Sequence, residues 1–279
     1  MKISSVMTPN PRTLALEASP DDALKLMDDE DIRHLPIMDG ARLAGVISDR
    51  DLFNVLGWVP AATEHERKRH ERAAPTVAEL MQTQVTSVGP KDPIMNACAE
   101  FLLQRIGCVL VLKDGVLVGI VTEMDVLAAY RSTCEEGTVK DDADPPVSRL
   151  MTICSTVVEP DTTLQEASEV CHDLKARHLP VVREGELVGM LSDRDLRAAH
   201  GGGQPGDTPV ERIMSTQLIT LEPDDSTSHA ADLMVENRIS AIPIVLEDSL
   251  AGLLTTTDLI EHAAGVLAPV REPTARRRS

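Results

Sequence analysis

Hydrophobic and polar positions follow the same order four times along this chain. Each unit has a short apolar run such as residues 13–16, then apolar residues spaced by three and four, then two apolar runs with a turn between them. Spacing by three and four is typical of an amphipathic helix, and short apolar runs between turn residues are typical of strands. With a final helix, the pattern predicts a β-α-β-β-α unit and an α/β (α+β) fold. A unit of about 55 to 60 residues has little interior, so we expect the units to associate through their sheets.

The last helix of each unit begins inside a repeated heptapeptide. Its copies are GVISDRD (45–51), GIVTEMD (119–125), GMLSDRD (189–195) and GLLTTTD (252–258). A methionine lies 38 positions before each glycine, at Met7, Met81, Met151 and Met214. Two anchors at one constant spacing indicate duplication.

The four repeats fall into two similar pairs. Repeats one and three both contain RHLP and SDRDL. At the place that corresponds to RHLP, repeat two has RIGCVL and repeat four has the similar RISAIP. This predicts module one at 1–131, with repeats at about 3–56 and 76–131, and module two at 147–265, with repeats at about 147–200 and 209–265. The acidic, proline-containing stretch 132–146 is predicted as a linker, and the basic tail 266–279 as disordered.

The charged segment 57–75 is predicted as a solvated linking helix. It contains HERKRH, but His65 and His70 are five positions apart, and two metal ligands on one helix face need a spacing of four. We therefore predict no metal site there.

Composition narrows the function. The net charge of −18 argues against nucleic-acid binding, which depends on Lys and Arg. No apolar run or leader segment indicates a membrane protein or a secreted one, so we expect a cytoplasmic location. Aromatic residues make up only 1% of the chain, so aliphatic side chains would surround any bound planar ring. The five cysteines include no CxxC pair, which predicts reduced thiols, with Cys154 the one that could be accessible.

The heptapeptide has two chemical interpretations. A Ser or Thr followed three positions later by Asp, before an apolar helix, is a helix cap worth roughly 1 kcal/mol. The same helix N-terminus also suits a phosphate, the hydroxyl adds a donor, and an Asp one turn later can hold ribose hydroxyls. The glycine before it allows close approach to the backbone.

The heptapeptide and the preceding LPIM or LPVV strand resemble the CBS domain family, named from cystathionine beta-synthase. The resemblance covers about residues 3–265 as four CBS repeats in two Bateman modules. It implies that two repeats pack sheet to sheet with two clefts between them. It also implies adenosine-type ligands in these clefts: AMP, ADP, ATP or S-adenosylmethionine.

By this resemblance, the Asp of each motif would hold ribose and the Ser or Thr would reach phosphate. The ribose candidates are Asp51, Asp125, Asp195 and Asp258, and the phosphate candidates are Ser48, Thr122, Ser192 and Thr255. Arg50 and Arg194 add positive charge, although Asp49 and Asp193 beside them oppose it. Repeats one and three therefore rank ahead of repeat four, and repeat two, with Glu123 and Met124 in the variable positions, ranks last.

Two pairs of residues before the strands leave alternatives open. His34 and His178 precede the strand prolines, where a histidine is more often packed or hydrogen-bonded than a ligand. Arg33 and Arg177 could equally cap the preceding helix C-terminus.

No catalytic motif, metal-ligand cluster or required cofactor is indicated, so we do not expect an enzyme. The hypothesis is a regulatory protein that binds an adenine nucleotide and signals to an unknown effector protein by module rearrangement. Its modules would pair within one chain or in a homodimer. The alternative is a structural or interaction scaffold in which the motif only caps helices.

Overall fold

The computed structural model of the protein describes residues 1–56, 76–135, 144–153, 156–247 and 249–268, with their side chains except at 53–56 and 201. The helices are α1 (Pro20–Glu30), α2 (Asp49–Leu56), α3 (Val77–Leu80), α4 (Ile94–Gln104), α5 (Glu123–Glu135), α6 (Leu164–Leu174), α7 (Asp193–Gly201), α8 (Thr227–Asn237) and α9 (Thr256–Leu267). The strands are β1 (Thr8–Pro9), β2 (Leu14–Ala15), β3 (His34–Asp39), β4 (Arg42–Ser48), β5 (Ser87–Val88), β6 (Cys108–Lys113), β7 (Val116–Thr122), β8 (His178–Arg183), β9 (Glu186–Ser192), β10 (Ala241–Leu246) and β11 (Ser249–Thr255). Single 3-10 turns lie at Ile3–Ser5, Val147–Arg149 and Val210–Arg212.

Each repeat is built on an antiparallel hairpin of two long strands: β3 with β4, β6 with β7, β8 with β9, and β10 with β11. In repeat two the hairpin turns at Asp114 and Gly115, both with positive φ, as a two-residue turn of type I′ requires. The predicted order β-α-β-β-α is confirmed, but its first strand is very short. It is β2 in repeat one and β5 in repeat two, and only a single bridge in the other two repeats.

The first helix of every repeat ends in the same way. Its C-cap residue has left-handed backbone, with φ between 50° and 54°: Asp31, Arg105, Lys175 and Arg238. The left-handed residue stops the helix and turns the chain toward the hairpin. All four residues lie near the boundary between modules: Asp31 and Arg238 form an ion pair across it, and Arg105 and Lys175 line a cleft beside it.

The beginning of each repeat packs on the other repeat of its module. In module one, β1 of repeat one pairs with β7 of repeat two, where Thr8 lies opposite Ile120. Reciprocally, Gln82 of repeat two exchanges backbone hydrogen bonds of 2.8 and 3.0 Å with Val46 of β4. The two repeats therefore exchange their first segments, and neither is complete without the other.

Module two repeats this exchange. Thr152 of repeat three bridges to Leu253 of β11, and Ser215 of repeat four bridges to Met190 of β9. The sheets of the two repeats are also joined where Ser249 of β11 pairs with Glu186 of β9.

The two modules pack on each other within the chain through repeats two and four. Helix α5 contacts α8 and α9, helix α4 contacts α9, and one continuous apolar core includes side chains from all four helices. The fully buried Tyr130 of α5 lies in this core, with its hydroxyl 2.8 Å from Thr227 Oγ1 of α8. Thr227 also donates to Asp144, so the end of the predicted linker is fixed to the start of α8.

Repeats one and three meet mainly through charged side chains. Arg50 at the start of α2 donates to Asp193 at the start of α7 at 3.1 Å. The pairing of modules is thus apolar on one side of the boundary and polar on the other.

Several predictions concern residues outside the described ranges: the linking segment 57–75 with His65 and His70, residues 136–143 of the linker, and Cys154. Most of the predicted tail, 269–279, is also outside them. At the module ends the described part differs from prediction, because α5 continues to Glu135 and α9 to Leu267.

Candidate functional site

The Ser or Thr and the Asp of each heptapeptide form a helix cap in all four repeats. In repeat four, the amide and the hydroxyl of Thr255 donate to Asp258 Oδ2 at 2.7 and 2.6 Å. The same bonds, between 2.6 and 2.9 Å, join Ser48 to Asp51, Thr122 to Asp125 and Ser192 to Asp195. Capping therefore occurs throughout, but it uses one carboxylate oxygen, Oδ2, and not the other.

The glycine of each heptapeptide makes room for a methionine of the partner repeat. A Cβ atom added at Gly252 would lie 2.8 Å from both the Sδ of Met151 and the carbonyl oxygen of Thr152. The other three contacts are equivalent, with 2.5 to 2.6 Å to Sδ: Gly45 with Met81, Gly119 with Met7, and Gly189 with Met214. The constant spacing of methionine and glycine thus reflects a contact between repeats, and the glycine is accounted for without a ligand.

The motif aspartates differ in what reaches their second oxygen. Asp51 Oδ1 accepts a hydrogen bond of 3.1 Å from Gln82 Nε2 of the exchanged segment. For Asp258, within the described residues, the hydrogen bonds all go to Oδ2. A ribose hydroxyl would have to displace Gln82 from Asp51, whereas Asp258 offers Oδ1 directly.

A cleft of about 1470 Å³ opens between repeats three and four and reaches module one. It is lined by Thr255, Thr257 and Asp258 of the repeat-four motif, whereas the repeat-three motif contributes Asp193. Its apolar and weakly polar walls come from the exchanged segment and the hairpins: Thr152, Ile153, Thr156, Leu179, Pro180 and Leu253. A carboxylate, hydroxyl groups and an aliphatic wall therefore come together around the motif of repeat four.

The sequence offered no cation for repeat four, and the structure supplies one from repeat three. Arg177 Nη2 lies 3.4 Å from Thr257 Oγ1, at the start of α9. The suggested C-cap role of Arg177 and Arg33 is not observed, because Arg33 donates to the carbonyl oxygen of Arg238 in repeat four. Both arginines reach across to an even-numbered repeat.

The cleft is also less acidic than the chain. Five Lys or Arg side chains line it against four Asp or Glu, although the whole chain has 27 Lys and Arg against 45 Asp and Glu. A local excess of positive charge in an acidic protein suits a small anion.

Charged residues of module one complete this cleft at the module boundary. Arg50 lines it while donating to Asp193. Glu123 also lines it, and burial raises the pKa of its carboxyl while Arg177 opposes that shift. Arg194, the other predicted phosphate cation, instead lies 3.8 Å from Asp28 of repeat one.

The two histidines that begin β3 and β8, His34 and His178, are packed inside their modules. A Cβ added at Gly107 of repeat two would lie 2.8 Å from His34 Cε1, and His178 Nε2 lies 3.1 Å from Ser240 Oγ of repeat four. Burial lowers the pKa of each imidazole to about 4. Both are therefore neutral near pH 7 and join the two repeats of a module.

Other candidate chemistry is absent from the described part of the chain. No group of three or more His, Cys, Asp or Glu side chains there is placed to hold a metal ion. Cys98 and Cys108 are buried free thiols, and burial raises their pKa values to about 11 and about 12. Among the described helices, none has the length and apolar character needed to cross a membrane.

Comparison with known proteins agrees with this architecture. The CBS domain family matches residues 3–57, 77–132, 147–202 and 210–265. The uncharacterized protein MJ1225 of Methanocaldococcus jannaschii is 27% identical over 262 residues, which is 87% of this chain and 91% of that protein. The CBS domain-containing protein YhcV of Bacillus subtilis is 37% identical over 114 residues, 40% of this chain and 81% of that protein.

The solved structure of MJ1225 has the same fold. It superimposes with a TM-score of 0.77 over 94% of this chain and 99% of that chain, at 22% identity. The four family matches together span most of the sequence, and the protein therefore belongs to the CBS domain family, with four CBS repeats in two tandem pairs.

Proposed function

We propose that this protein is a regulatory sensor that binds an adenosine-type nucleotide in the cleft of module two. The observation that carries the proposal is the arrangement at the start of α9. There Asp258 has an oxygen not used by the cap, Thr257 presents a hydroxyl, and Arg177 lies 3.4 Å from that hydroxyl. We propose Asp258 for the ribose hydroxyls, and Thr255, Thr257 and the α9 N-terminus with Arg177 for phosphate.

The other predicted sites rank lower in this proposal. Asp195 with Ser192 comes second, because its Oδ1 is also left out of the cap bonds but neither residue lines the cleft. Asp51 with Ser48 ranks below it, because Asp51 Oδ1 already accepts a hydrogen bond from Gln82. Asp125 with Thr122 is last, since burial raises the pKa of the Asp125 carboxyl and makes its ionised form less available.

Binding would act on the relation between the two modules. Arg50, Phe101, Leu102, Arg105 and Glu123 of module one line a cleft whose other lining residues belong to module two. A ligand that contacts both modules has a different affinity for each of their arrangements, and this is what shifts a conformational equilibrium. The polar contact between Arg50 and Asp193 is the contact that would change, and an effector protein would detect the shift.

Isothermal titration calorimetry of the full chain with AMP, ADP, ATP and S-adenosylmethionine tests the proposal. We expect heat from at least one ligand, and loss of that heat in Asp258→Ala. Asp125→Ala is the matched control, because it removes the same cap bonds at the buried equivalent position, and it should keep the heat.

The alternative is a scaffold of CBS repeats without a ligand, since all four motifs cap helices and the glycine contacts a methionine. It predicts no heat with any of the four ligands and equal loss of stability in Asp258→Ala and Asp125→Ala. That result would overturn the sensing proposal.

A further inference from the structure

The two modules differ in charge where the first helix of repeat one or three ends. Helix α1 ends with Asp28, Glu30 and Asp31, whereas the equivalent positions of α6 are His172, Leu174 and Lys175. In module two these three residues line the cleft described above. This helix end in module one, the module-one rim, is therefore acidic where the rim of the module-two cleft is neutral or basic.

In module one, the acidic rim is bound to arginines. Glu30 is 2.6 Å from Arg12, Asp28 is 3.8 Å from Arg194, and Asp31 forms an ion pair with Arg238 of repeat four. Arg12 and Arg194 are the equivalents of Thr156 and Arg50, which line the module-two cleft. The cations that could serve a ligand in module one thus already neutralise acidic side chains.

Hydrogen bonds from arginine side chains to backbone carbonyl oxygens also close the module-one rim. Arg238 donates to the carbonyl oxygen of Asp31 at 3.1 Å, and Arg33 donates to the carbonyl oxygen of Arg238 at 3.2 Å. The ends of α1 and α8 are therefore joined across the module boundary.

In module two, the equivalents of Asp31 and Arg238 are Lys175 and Arg105. Both line the cleft, and neither forms an ion pair with another residue of the described chain. Lys175 and Arg105 are both positively charged and repel each other, whereas Asp31 and Arg238 attract each other. The module-two rim therefore has no ion pair across it and stays open. Farther in, Arg177 lies beside Thr257. Arg177 is half-buried, whereas Lys175 and Arg105 are exposed at the rim of the same cleft.

We propose that Lys175 and Arg105 make the module-two cleft selective for nucleotides with two or three phosphates, and that the acidic end of α1 excludes such ligands from the module-one counterpart. This inference depends on the proposed function and names its ligand class. A monophosphate is satisfied by Thr255, Thr257 and Arg177, so it gains little from the outer cations. A sulfonium nucleoside such as S-adenosylmethionine is disfavoured, because its cation faces like charges.

Calorimetric titrations with ADP, AMP and S-adenosylmethionine test the inference on four full-length proteins: the unaltered chain, Lys175→Asp, Arg105→Glu and Asp31→Lys. We expect ADP to bind more tightly than AMP, with S-adenosylmethionine weakest. Lys175→Asp and Arg105→Glu should each weaken the binding of ADP by about tenfold and that of AMP by less than about threefold. Added salt should reduce the difference in ADP affinity between these variants and the unaltered chain. Lys175 and Arg105 are exposed, and Asp already occupies the left-handed position equivalent to Lys175, so these variants should fold.

Asp31→Lys is the matched control on the other module. It should leave the ADP affinity of module two unchanged, because Asp31 lies at the other rim. An ADP-to-AMP affinity ratio that stays within about twofold in both Lys175→Asp and Arg105→Glu overturns the selectivity inference while leaving nucleotide sensing intact. ADP binding that survives Asp258→Ala, or no binding of any ligand, overturns the proposed function itself.

Discussion

Replacing Gly252 with alanine is the sharpest test of the exchanged segments. The new Cβ would lie 2.8 Å from Met151 Sδ and 2.8 Å from the carbonyl oxygen of Thr152, where ordinary contacts are well above 3 Å. Met151 can move, but the Thr152 carbonyl is held by the Leu253 amide at 2.9 Å, and the Thr152 amide donates back at 3.0 Å. The variant must therefore separate this bridge.

The expected cost follows from these contacts. Overpacking costs about 1 to 3 kcal/mol, and two backbone hydrogen bonds are worth roughly 1 kcal/mol each. We expect Gly252→Ala to lower the free energy of unfolding by about 3 kcal/mol, a large part of the stability of a typical domain. Since Thr152 lines the cleft, nucleotide affinity should fall as well.

Urea unfolding followed by circular dichroism measures the change. Gly265→Ala in α9 is the matched control, because nothing lies within 4 Å of its added Cβ, and glycine to alanine inside a helix stabilises by roughly 0.5 to 1 kcal/mol. The two substitutions should therefore have opposite signs. A loss below about 0.5 kcal/mol in Gly252→Ala would refute the tight contact between Gly252 and the exchanged segment.

Three further predictions concern the core, the histidines and the first motif. Tyr130→Phe removes the 2.8 Å hydrogen bond to Thr227 between the modules and should cost about 1 kcal/mol in thermal unfolding; an unchanged midpoint would contradict this. His34 and His178 have folded pKa values near 4, below the unfolded value of 6.5, so stability is present above pH 6.5 and is lost as the pH falls toward 4. Each should contribute a loss of roughly 2 kcal/mol between pH 7 and pH 5, and His178→Gln should flatten the measured slope; an unchanged slope would contradict the burial of His178. Asp51→Ala should lower stability by about 1 kcal/mol without changing nucleotide affinity, and a loss of binding there would shift the site to repeat one.

Local pattern was sufficient to predict the repeats and their elements. Apolar spacing indicated the first helix of each repeat, and the Ser or Thr with Asp indicated the cap of the last one, because both signals act within one turn of the chain. The spacing of Met7 and Gly45 revealed the repeat but not its contact. Met7 packs on Gly119 of the next repeat, and Met81 packs on Gly45.

The exchange could not be predicted because a spacing along one chain is the same whether a segment folds back on its own repeat or on its neighbour. A sequence signal was nonetheless present. Met151 and Met214 keep the same spacing to their glycines in both modules, and this regularity was interpreted only as duplication.

The sequence indicated the chemistry of the proposed site better than its location. The proposed roles of Asp258 and Thr255 follow from the motif, but repeat four ranked behind repeats one and three because its own variable positions lack a cation. Arg177 supplies that cation from repeat three, and its alignment with Arg33 gave no indication that it would reach Thr257. Similarly, Gln82 was not recognised as a partner of Asp51, since it lies in a different repeat.

The pairing of modules depends on surfaces that the repeat pattern does not distinguish. Tyr130 and the apolar face of α5 belong to a core shared with repeat four, whereas Arg50 and Asp193 join the other two repeats. Each helix would appear amphipathic in isolation. Only the three-dimensional arrangement shows which apolar face meets which.

We propose that a nucleotide binds between the exchanged segment of repeat three and the motif of repeat four. The most direct test is the crystal structure of the full chain grown with ADP. We expect ADP with its ribose hydroxyls bonded to Asp258 and its phosphates beside Thr257 and Arg177. ADP bound at Asp51, Asp125 or Asp195 instead, or no bound ADP at saturating concentration, would contradict it.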